Sequence, residues 1–365
     1  MAGHLELAPP TPAGLPTDGG ELRDRFSRKL TDLRVSLTER CNYRCVYCRS
    51  GESMPPAAQE LTLDEQVRLI GLFVSLGVEK IRLTGGEPLL RRDLLDLVRI
   101  VSAMRRTRDG GPLDLALTTN GHLLAEKAVP LRDAGLRRIT ISLDAVDPQK
   151  FAAITRVSGG YERVLAGLRA ARDAGLAPVK VNCVLLRGVN DDQIEAFAEF
   201  ARRERVVLRF IEFMPLEETE GAEDRDVKGP HKTRRWSHAS VVPLSEILTR
   251  LERLGPLVEL PPLVAGETAR RFGFADGEGE IGIIAPVSQP FCGDCSRLRL
   301  TAEGQVRTCL FSQQDHELAG PMRRGATDDA LRERIRRIVE HKEERHRIGE
   351  PGFLKPARSM VQIGG

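Results

Sequence analysis

The sequence predicts an α/β fold built from six β/α units, followed by a C-terminal region of different character. Short runs rich in leucine or β-branched residues predict strands, and helix-length amphipathic stretches separate them. Strands that alternate with helices are typical of a parallel sheet with helical crossovers. The predicted strands are 33–38, 80–84, 114–118, 138–143, 179–185 and 206–213.

Two local signals mark where helices begin. Thr62 precedes Glu65 by three residues, which is the spacing of a capping box, and Asn190 precedes Gln193 in the same way. In such a box each side chain bonds the other residue's backbone N–H, so two donors at the helix start are satisfied. We therefore predict helices that begin after Thr62 and after Asn190.

The chain divides into three parts by composition. Residues 1–30 are predicted to be a disordered lead-in, because residues 8–20 are rich in Pro, Gly and Thr. Residues 31–240 hold the β/α units and end in a polar, charged segment, 217–240, which we interpret as a surface loop or insertion. Residues 241–365 form the C-terminal region, and their first part, 241–300, has weaker periodicity and more Pro and Gly.

The C-terminal part carries two recognisable elements. A strand-like run at 297–301 leads into Ala-Glu-Gly-Gln at 302–305, which predicts a hairpin. A charged periodic run predicts a helix from Asp328 to about Glu344. This part is therefore expected to be a smaller α+β region.

Composition excludes several classes of protein. The apolar fraction of 41% in 365 residues supports a large core. The 55 basic and 52 acidic residues nearly balance, so the net charge of +3 gives no general reason to expect nucleic-acid or membrane binding. No apolar run reaches about 18 residues, and the first 30 residues lack the apolar core of a signal peptide. We expect a cytoplasmic protein.

Seven cysteines occur as two triplets and one single residue. In a cytosolic chain this grouping favours metal binding or redox catalysis over a disulfide framework. The single residue, Cys183, is interpreted as a buried apolar side chain. The two triplets are therefore the candidate sites for chemistry.

The first triplet is Cys41, Cys45 and Cys48, directly after the first predicted strand. Ligand sites in parallel α/β folds lie at the carboxyl ends of strands, so the position suits chemistry. Three thiolates can hold three irons of a cubane cluster and leave the fourth iron open. Structural zinc is the alternative, but it takes four ligands, usually in two pairs spaced by two residues. Here the first gap is three residues and no His lies nearby.

This Cys-x3-Cys-x2-Cys spacing resembles the signature of the radical S-adenosylmethionine superfamily. The resemblance implies that the cofactor's amino and carboxylate groups chelate the open iron, and that its cleavage yields a 5′-deoxyadenosyl radical. Gly85-Gly86-Glu87-Pro88 after the second strand is a second mark of that superfamily. Its glycines permit close backbone approach, here to the methionyl amino group. By itself the same string is compatible with an ordinary turn.

Alternation along the strands predicts a hydrophilic lumen. In the first strand Leu33 and Leu37 share one face, which helices should cover, so the opposite face points inward. In the sixth strand Arg209 is expected inside, with Glu212 and Met214 on the opposite parity. The predicted inward residues of the other strands are Arg34, Ser36, Thr38, Arg82, Thr84, Thr118, Thr140, Ser142, Asp144, Lys180 and Asn182.

This lumen contains at least three cations, which are too costly to bury unpaired. The cations therefore predict a polyanionic substrate, with phosphates as the obvious candidates. The alternative is a set of internal salt bridges, for which Asp144 is the main available acid.

The second triplet is Cys292, Cys295 and Cys309, which the predicted hairpin would bring together. Its three thiols again suggest a cluster with an open iron. Arg297 and Arg299 alternate onto one face beside it. The alternative is a zinc site completed by His316.

Both triplets, Gly-Gly-Glu-Pro, Cys-Ser-Arg-Leu-Arg at 295–299 and the terminal Gly-Gly together resemble the GTP 3′,8-cyclase family, over roughly residues 30–365. These enzymes catalyse the first step of molybdenum cofactor biosynthesis. The resemblance implies an incomplete six-unit (β/α) TIM-like barrel whose open side is closed by the C-terminal α+β region. It also implies two [4Fe-4S] clusters and S-adenosyl-L-methionine as cofactors. The segment 217–240 is longer and more charged than expected for the family.

The resemblance also assigns roles to residues of this sequence. Cys41, Cys45 and Cys48 would bind the first cluster, and Cys292, Cys295 and Cys309 a second cluster that holds the guanine ring. The residues that would contact S-adenosylmethionine are Tyr47, Gly86, Ser142 and Met214. Those that would hold GTP are Arg34, Arg82, Thr118, Lys180, Arg297 and Arg299.

By the same resemblance, the radical takes the ribose 3′ hydrogen and the sugar carbon attacks the guanine ring. The product is (8S)-3′,8-cyclo-7,8-dihydroguanosine 5′-triphosphate, which a partner, cyclic pyranopterin monophosphate synthase, converts further. A reductant for the cluster and a homodimeric state are also implied. The terminal Gly364-Gly365 would reach into the active site; by composition alone it is a flexible tail.

Two rival functions are considered. A peptide-modifying radical enzyme with auxiliary clusters would generally carry a larger set of C-terminal cysteines than the three found here. A non-catalytic iron–sulfur or zinc module would have no use for Gly-Gly-Glu-Pro or for a cation-lined lumen.

Overall fold

The computed structural model describes residues 21–48, 59–216, 235–264 and 266–364. The strands in these residues are β1 (Asp32–Ser36), β2 (Lys80–Thr84), β3 (Asp114–Thr119), β4 (Arg138–Ser142), β5 (Val179–Leu185), β6 (Val207–Glu212), β7 (Leu257–Leu260), β8 (Arg270–Phe274), β9 (Glu280–Ile284), β10 (Arg297–Leu300), β11 (Gln305–Arg307) and β12 (His316–Glu317). The α-helices are α1 (Leu63–Ser75), α2 (Leu94–Ala103), α3 (Leu124–Asp133), α4 (Pro148–Thr155), α5 (Gly160–Asp173), α6 (Ile194–Glu204), α7 (Leu244–Leu251), α8 (Ala319–Arg323), α9 (Asp328–Glu340) and α10 (Met360–Ile363).

The strands form one sheet in the order β12-β11-β10-β1-β2-β3-β4-β5-β6-β9-β8-β7. All neighbours from β10 through β1–β6 to β9 are parallel, and the outer strands on both sides are antiparallel. In the described part of the chain the two ends of this sheet do not pair, so the barrel is partial. The predicted fold class is thereby confirmed, and the C-terminal region extends the barrel sheet at both edges.

The six predicted barrel strands occur within two residues of their expected bounds. The leucine-rich face of β1 is covered as predicted, since Leu33 and Val35 are fully buried in the main hydrophobic core. The capping box of α1 is also confirmed. The Thr62 hydroxyl accepts from the Glu65 N–H at 3.3 Å, and the Glu65 carboxylate accepts from the Thr62 N–H at 2.9 Å.

The capping box expected at Asn190 is wrong. A short 3₁₀ turn, Asp191–Gln193, intervenes before α6, and Asn190 makes no side-chain cap. The Asn190 amide instead donates to the Asp144 carbonyl at 2.7 Å, and the Gln193 side chain accepts from the Val146 N–H at 2.8 Å. Both side chains satisfy buried loop groups at the ends of β4 and β5, and this demand outweighs local capping.

The lead-in also differs from its prediction. Residues 1–20 lie outside the described residues, but residues 21–30 are packed against the barrel. Leu22 and Leu30 are buried, and Asp24 forms an ion pair with Arg28 at 2.6 Å. Burial of these two leucines orders the segment, which composition could not reveal because the stretch is short and charged.

The C-terminal elements follow the predictions closely. The hairpin forms from β10 and β11, and α9 begins at Asp328 but ends at Glu340, four residues before the expected bound. Of the predicted loop at 217–240, residues 217–234 lie outside the described residues. Among the described residues, no helix combines the length and apolar character needed to cross a membrane.

Candidate active site

The partial barrel encloses a cavity of about 1800 Å³. Its lining includes Asp32 and Asp114 at the starts of strands and Thr84 and Asp144 at the ends of strands. The cavity therefore runs the length of the strands. The site residues predicted from the sequence that line this single cavity are Cys41, Cys45, Cys48, Tyr47, Gly86, Ser142, Met214, Arg34, Arg82, Thr118, Lys180, Arg297, Arg299, Cys292, Cys295 and Cys309.

The two cysteine triplets lie at opposite ends of the strands. Cys41 follows β1, so the first triplet lies at the carboxyl ends of the parallel strands. Cys295 lies two residues before β10, which runs parallel to β1, and Cys309 lies two residues after the antiparallel β11. The second triplet therefore lies at the amino ends. This separation depends on the pairing of β10 with β1, which no local sequence signal reveals.

The donor set of the first triplet fits a metal cluster. All seven cysteines lie in the described residues, and none is in a disulfide. Burial raises the pKa of the Cys41 thiol to about 11 and the pKa of Cys45 well above its usual value. Thiols in such surroundings ionise when a metal cation neutralises them. Cys41, Cys45 and Cys48 could therefore hold the first cluster.

The Gly-Gly-Glu-Pro turn braces the loop that carries this triplet. A Cβ on Gly85 would lie 2.6 Å from the Thr38 carbonyl, and one on Gly86 would lie 2.4 Å from the Arg40 carbonyl. The Gly86 N–H donates to the Thr38 carbonyl at 2.7 Å. The glycines thus allow backbone approach to the cysteine loop as well as to the cavity.

Glu87 of the same turn points away from the cavity into the protein. Its fully buried carboxylate accepts from the Thr119 hydroxyl at 2.7 Å and from the Asn120 N–H at 2.7 Å. Asn120 in turn donates to the Asn42 side chain at 2.7 Å. Burial raises the pKa of Glu87 to about 7 despite these donors. Glu87 therefore ties the ends of β2 and β3 to the cysteine loop.

Tyr47 and Asp144 form a second brace beside the triplet. The Tyr47 hydroxyl donates to the Asp144 carboxylate at 2.6 Å, and the Val184 N–H donates to it at 2.8 Å. Burial raises the pKa of Asp144 to about 6. Asp144 thus binds neutral donors, so these contacts do not support the salt-bridge alternative, in which it was the main available acid. Ser142 lies two residues earlier on the same cavity face.

Basic side chains surround the second triplet. Burial alone would raise the pKa of Cys295, but the charges of Arg297 and Lys342 lower it to about 6. The Arg297 guanidinium lies 3.4 Å from the Cys295 sulfur. Arg28, which sequence reasoning missed, donates to the Cys292 carbonyl at 2.7 Å. Thiolates held by cations suit a second cluster.

His316 does not join the second triplet at the cavity. Its ring stacks on that of His341, with the ring centroids 6.2 Å apart, and it is not among the residues that line the cavity. Nothing in this geometry favours the zinc site that the sequence left open.

Three arginines form a row across the lumen. Arg299, Arg34 and Arg82 stand in register on the adjacent parallel strands β10, β1 and β2. Neighbouring strands lie about 4.8 Å apart, so the three guanidinium groups are crowded. Desolvation and the charges of Arg297 and Arg82 lower the pKa of Arg34 to about 10. The buried Nε of Arg34 has no hydrogen-bond partner among the described residues.

Two of the acids that line the lumen, Asp32 and Glu267, lie beside lumen cations. Asp32 pairs with Lys80 at 2.6 Å, and Glu267 lies 3.4 Å from Arg209. Internal salt bridges therefore account for Lys80 and Arg209, but none among the described residues involves Arg34, Arg82 or Arg299. Glu267 carries no sequence signal, because it reaches the lumen from a loop 58 residues after Arg209.

Strand alternation placed Arg209 of the sixth strand inside the lumen and Glu212 and Met214 on the opposite face, and the structure shows which of them line the cavity. Arg209 and Ile211 face the cavity, while Glu212 points outward and accepts from the Leu244 N–H at 3.1 Å and from the Val287 N–H at 2.8 Å. Met214 also faces the cavity, because it lies beyond the end of β6, where strand alternation no longer applies.

The C-terminal tail, residues 358–364, enters the barrel. Gly364 is buried, and a Cβ on it would lie 2.7 Å from Thr84 and 3.3 Å from Ser36. Arg299 donates to the carbonyls of Ile363, at 3.1 Å, and of Gly364. The tail thus contacts the lumen faces of β1, β2 and β10, whereas Gly365 lies outside the described residues.

Metal content provides a direct test of both triplets. We expect about eight irons per chain after anaerobic reconstitution, because two cubane clusters hold four each. Replacement of Cys292, Cys295 and Cys309 by alanine should leave about four irons, measured by metal analysis of the purified protein. A preparation that contains zinc without iron would contradict this and would favour the non-catalytic module.

The fold, the first triplet and the Gly-Gly-Glu-Pro turn together define a class, the radical S-adenosylmethionine enzymes. A family model described as the Radical SAM superfamily matches residues 35–201, and one described as Molybdenum Cofactor Synthesis C matches residues 206–348. The predicted superfamily is confirmed.

Curated relatives named GTP 3′,8-cyclase match most of the chain. One from Acidothermus cellulolyticus is 44% identical over 335 residues, which cover 89% of this chain and 87% of the relative. One from Xanthomonas axonopodis pv. citri is 42% identical over 352 residues, which cover 94% of this chain and 99% of the relative. The chain belongs to the GTP 3′,8-cyclase family, as its motifs predict.

Solved structures share the fold. Streptococcus suis SuiB bound to precursor peptide SuiA has a TM-score of 0.53 at 13% identity, over 86% of this chain and 68% of that chain. Because the identity is so low, this likeness shows the fold alone.

Proposed function

We propose that this chain converts GTP to (8S)-3′,8-cyclo-7,8-dihydroguanosine 5′-triphosphate, the first step of molybdenum cofactor biosynthesis. The observation that carries the proposal is the row of Arg299, Arg34 and Arg82 in a cavity lined by both cysteine triplets. Crowded cations need an anion with several negative groups, which a triphosphate supplies. The name shared by relatives at 41% to 44% identity supports the same substrate.

The positions of the triplets suggest how the substrate is oriented. With the arginine row between them, the substrate would lie along the lumen, and the guanine would point toward Cys292, Cys295 and Cys309. Its ribose would then face the first triplet, where Tyr47, Gly86, Ser142 and Met214 would hold S-adenosylmethionine. When bound, the first cluster and S-adenosylmethionine supply the radical that removes the 3′ hydrogen.

The chain's own residues position the reactants and exclude water. Met360 and Val361 of the tail line the cavity beside the predicted cofactor site, so the inserted tail closes part of it from solvent. Exclusion of water protects reactive intermediates and strengthens electrostatic contacts. Arg297, Lys180 and Thr118 add donors around the substrate, in the roles that the sequence predicts.

The test is isotope transfer. The reconstituted protein is incubated without oxygen with S-adenosylmethionine, a reductant and GTP deuterated at the ribose 3′ position, and 5′-deoxyadenosine is analysed by mass spectrometry. We expect the nucleoside to gain deuterium. Unlabelled 5′-deoxyadenosine would mean that GTP is the wrong substrate. Its absence, in protein with complete iron content, would contradict radical chemistry altogether.

Lys180 predicts a pH dependence of GTP binding. Burial and the charges of Arg209 and Arg138 lower the pKa of Lys180 to about 8. Below pH 8 the Lys180 ammonium is charged and can bind phosphate. Above pH 8 the amine is neutral, so Lys180 must take up a proton before it can bind phosphate, and this weakens binding. We therefore expect the Kd for GTP to rise by up to about tenfold per pH unit above pH 8, measured by equilibrium titration without S-adenosylmethionine.

The matched control is Lys180→Arg, which keeps its charge over this range. Its Kd should stay nearly constant between pH 8 and pH 9.5. A wild-type Kd that is equally flat would show that Lys180 does not bind the nucleotide.

The remaining assignments are parts of the same proposal. We infer a cytoplasmic homodimer that draws electrons from a separate reductant and passes its product to cyclic pyranopterin monophosphate synthase. The peptide-modifying alternative has little support, since the C-terminal region offers only Cys292, Cys295 and Cys309 for further clusters.

A further inference from the structure

Arg358 stands at the point where the C-terminal tail turns into the barrel. Its guanidinium forms ion pairs with Asp315 and, at 3.0 Å, with Glu303, and it lies 3.6 Å from Glu39. Two residues later, the Met360 N–H donates to the Leu216 carbonyl at 3.2 Å. The tail is thus held at its start by an ion-pair cluster and at its end by Arg299.

The three acids come from separate parts of the fold. Glu303 lies in the turn between β10 and β11, and Asp315, which also pairs with Arg307, precedes β12. Glu39 lies two residues before Cys41, in the loop that leads to the first triplet. Its side chain is buried, and its Oε1 has no hydrogen-bond partner among the described residues, although it lies nearest to Arg358.

We propose that Arg358 is a positioning residue that latches the C-terminal tail into the active site and, through Glu39, links tail insertion to the loop of the first cysteine triplet. This inference rests on the proposed function only for its effect on turnover. The latch itself is a statement about where the tail docks.

Charge balance explains why one arginine can serve as the latch. With Arg358 in place, two cations, Arg358 and Arg307, face the three carboxylates of Glu39, Glu303 and Asp315. Without it, the acids repel one another with only Arg307 left between them. A lysine would restore the charge but not the planar fork that reaches several carboxylates at once.

The first test measures docking of the tail without any turnover. Carboxypeptidase is added to the reconstituted, nucleotide-free protein, and loss of the C-terminal residues is followed by mass spectrometry. We expect Arg358→Ala to speed this loss by about tenfold or more, and Arg358→Lys to have an intermediate effect. The control is Arg337→Ala, which removes an exposed ion pair with Glu333 on α9 and should digest at the wild-type rate.

The second test asks whether Arg358 acts through the tail. We expect Arg358→Ala to lower kcat by about 10- to 100-fold with unchanged iron content and cluster spectra, since small displacements of positioning groups have effects of this size. In a chain that lacks Gly364 and Gly365, the same substitution should cause no further loss in residual 5′-deoxyadenosine formation, because residues of one unit are not additive.

Glu39→Gln tests the link to the cysteine loop. It should speed digestion of the tail several-fold while Glu303 and Asp315 still hold Arg358; an unchanged rate would overturn that link. The latch would be overturned if Arg358→Ala were digested at the wild-type rate. It would also be overturned if the loss of 5′-deoxyadenosine formation in Arg358→Ala added to the loss caused by the tail deletion. If the wild-type protein did not cyclise GTP, the digestion rates would still decide whether the latch exists.

Discussion

Deletion of Gly364 and Gly365 is expected to abolish cyclisation while both clusters remain in place. Gly364 is buried between the lumen faces of β1 and β2, with a φ of 69°, and its carbonyl accepts from Arg299. Without these residues Arg299 loses an acceptor, and the lumen beside Ser36 and Thr84 opens to water. Misplacement of positioning groups costs about 10²-fold, so turnover should fall by at least that factor.

The measurement combines product analysis by mass spectrometry with iron content and cluster spectra, which should match those of the intact chain. Gly364→Ala should also impair turnover, because its Cβ would lie 2.7 Å from Thr84 in a left-handed backbone conformation. Gly71→Ala is the matched control, since the space around Gly71 in α1 is open. Undiminished turnover of the truncated chain would defeat the proposed role of the tail.

Replacement of Arg34 by methionine should weaken GTP binding and stabilise the nucleotide-free protein. Arg34 stands between Arg299 and Arg82, and its Nε has no partner among the described residues. Loss of one charged partner of a phosphate costs about 2–5 kcal/mol, so the Kd for GTP should rise by about 30-fold or more. Removal of the unpartnered group should raise the free energy of unfolding by about 1 kcal/mol.

Two measurements on the same preparations separate these effects. Equilibrium titration with GTP gives the Kd, and denaturant unfolding without nucleotide gives the stability. Arg137→Met serves as the control, because Arg137 is exposed at the start of β4 and should change neither value. If Arg34→Met bound GTP normally, or were less stable than the wild-type protein, the arginine row would be structural and not an anion site.

Much of the site was predictable because it depends on local spacing. The first cysteine triplet begins five residues after the end of β1, and the Gly-Gly-Glu-Pro turn follows β2 directly, so both can be recognised from short stretches of sequence. The period of two along a strand is enough to assign Arg34, Arg82 and Lys180 to the lumen. The structure has these three side chains in the lumen, because the geometry of a strand alone determines the face on which a side chain lies.

Other features had no local signal. Glu267 faces Arg209, Arg28 binds the Cys292 carbonyl and Arg358 binds Glu303, and each of these pairs joins distant parts of the chain. Asp144 was the main acid available for the alternative of internal salt bridges, but in the structure its carboxylate accepts from the Tyr47 hydroxyl. Composition and alternation say which residues face inward, and they do not say which of them meet.

The sequence by itself therefore determined the class of enzyme, the six β/α units and the chemical character of the lumen. Only the tertiary structure decided that β10 pairs with β1, which places the two triplets at opposite ends of one cavity. It also decided that the tail folds back between them onto Arg299. The reason is that strand pairing and tail docking depend on contacts between residues 265 and 65 positions apart in sequence, where periodicity carries no information.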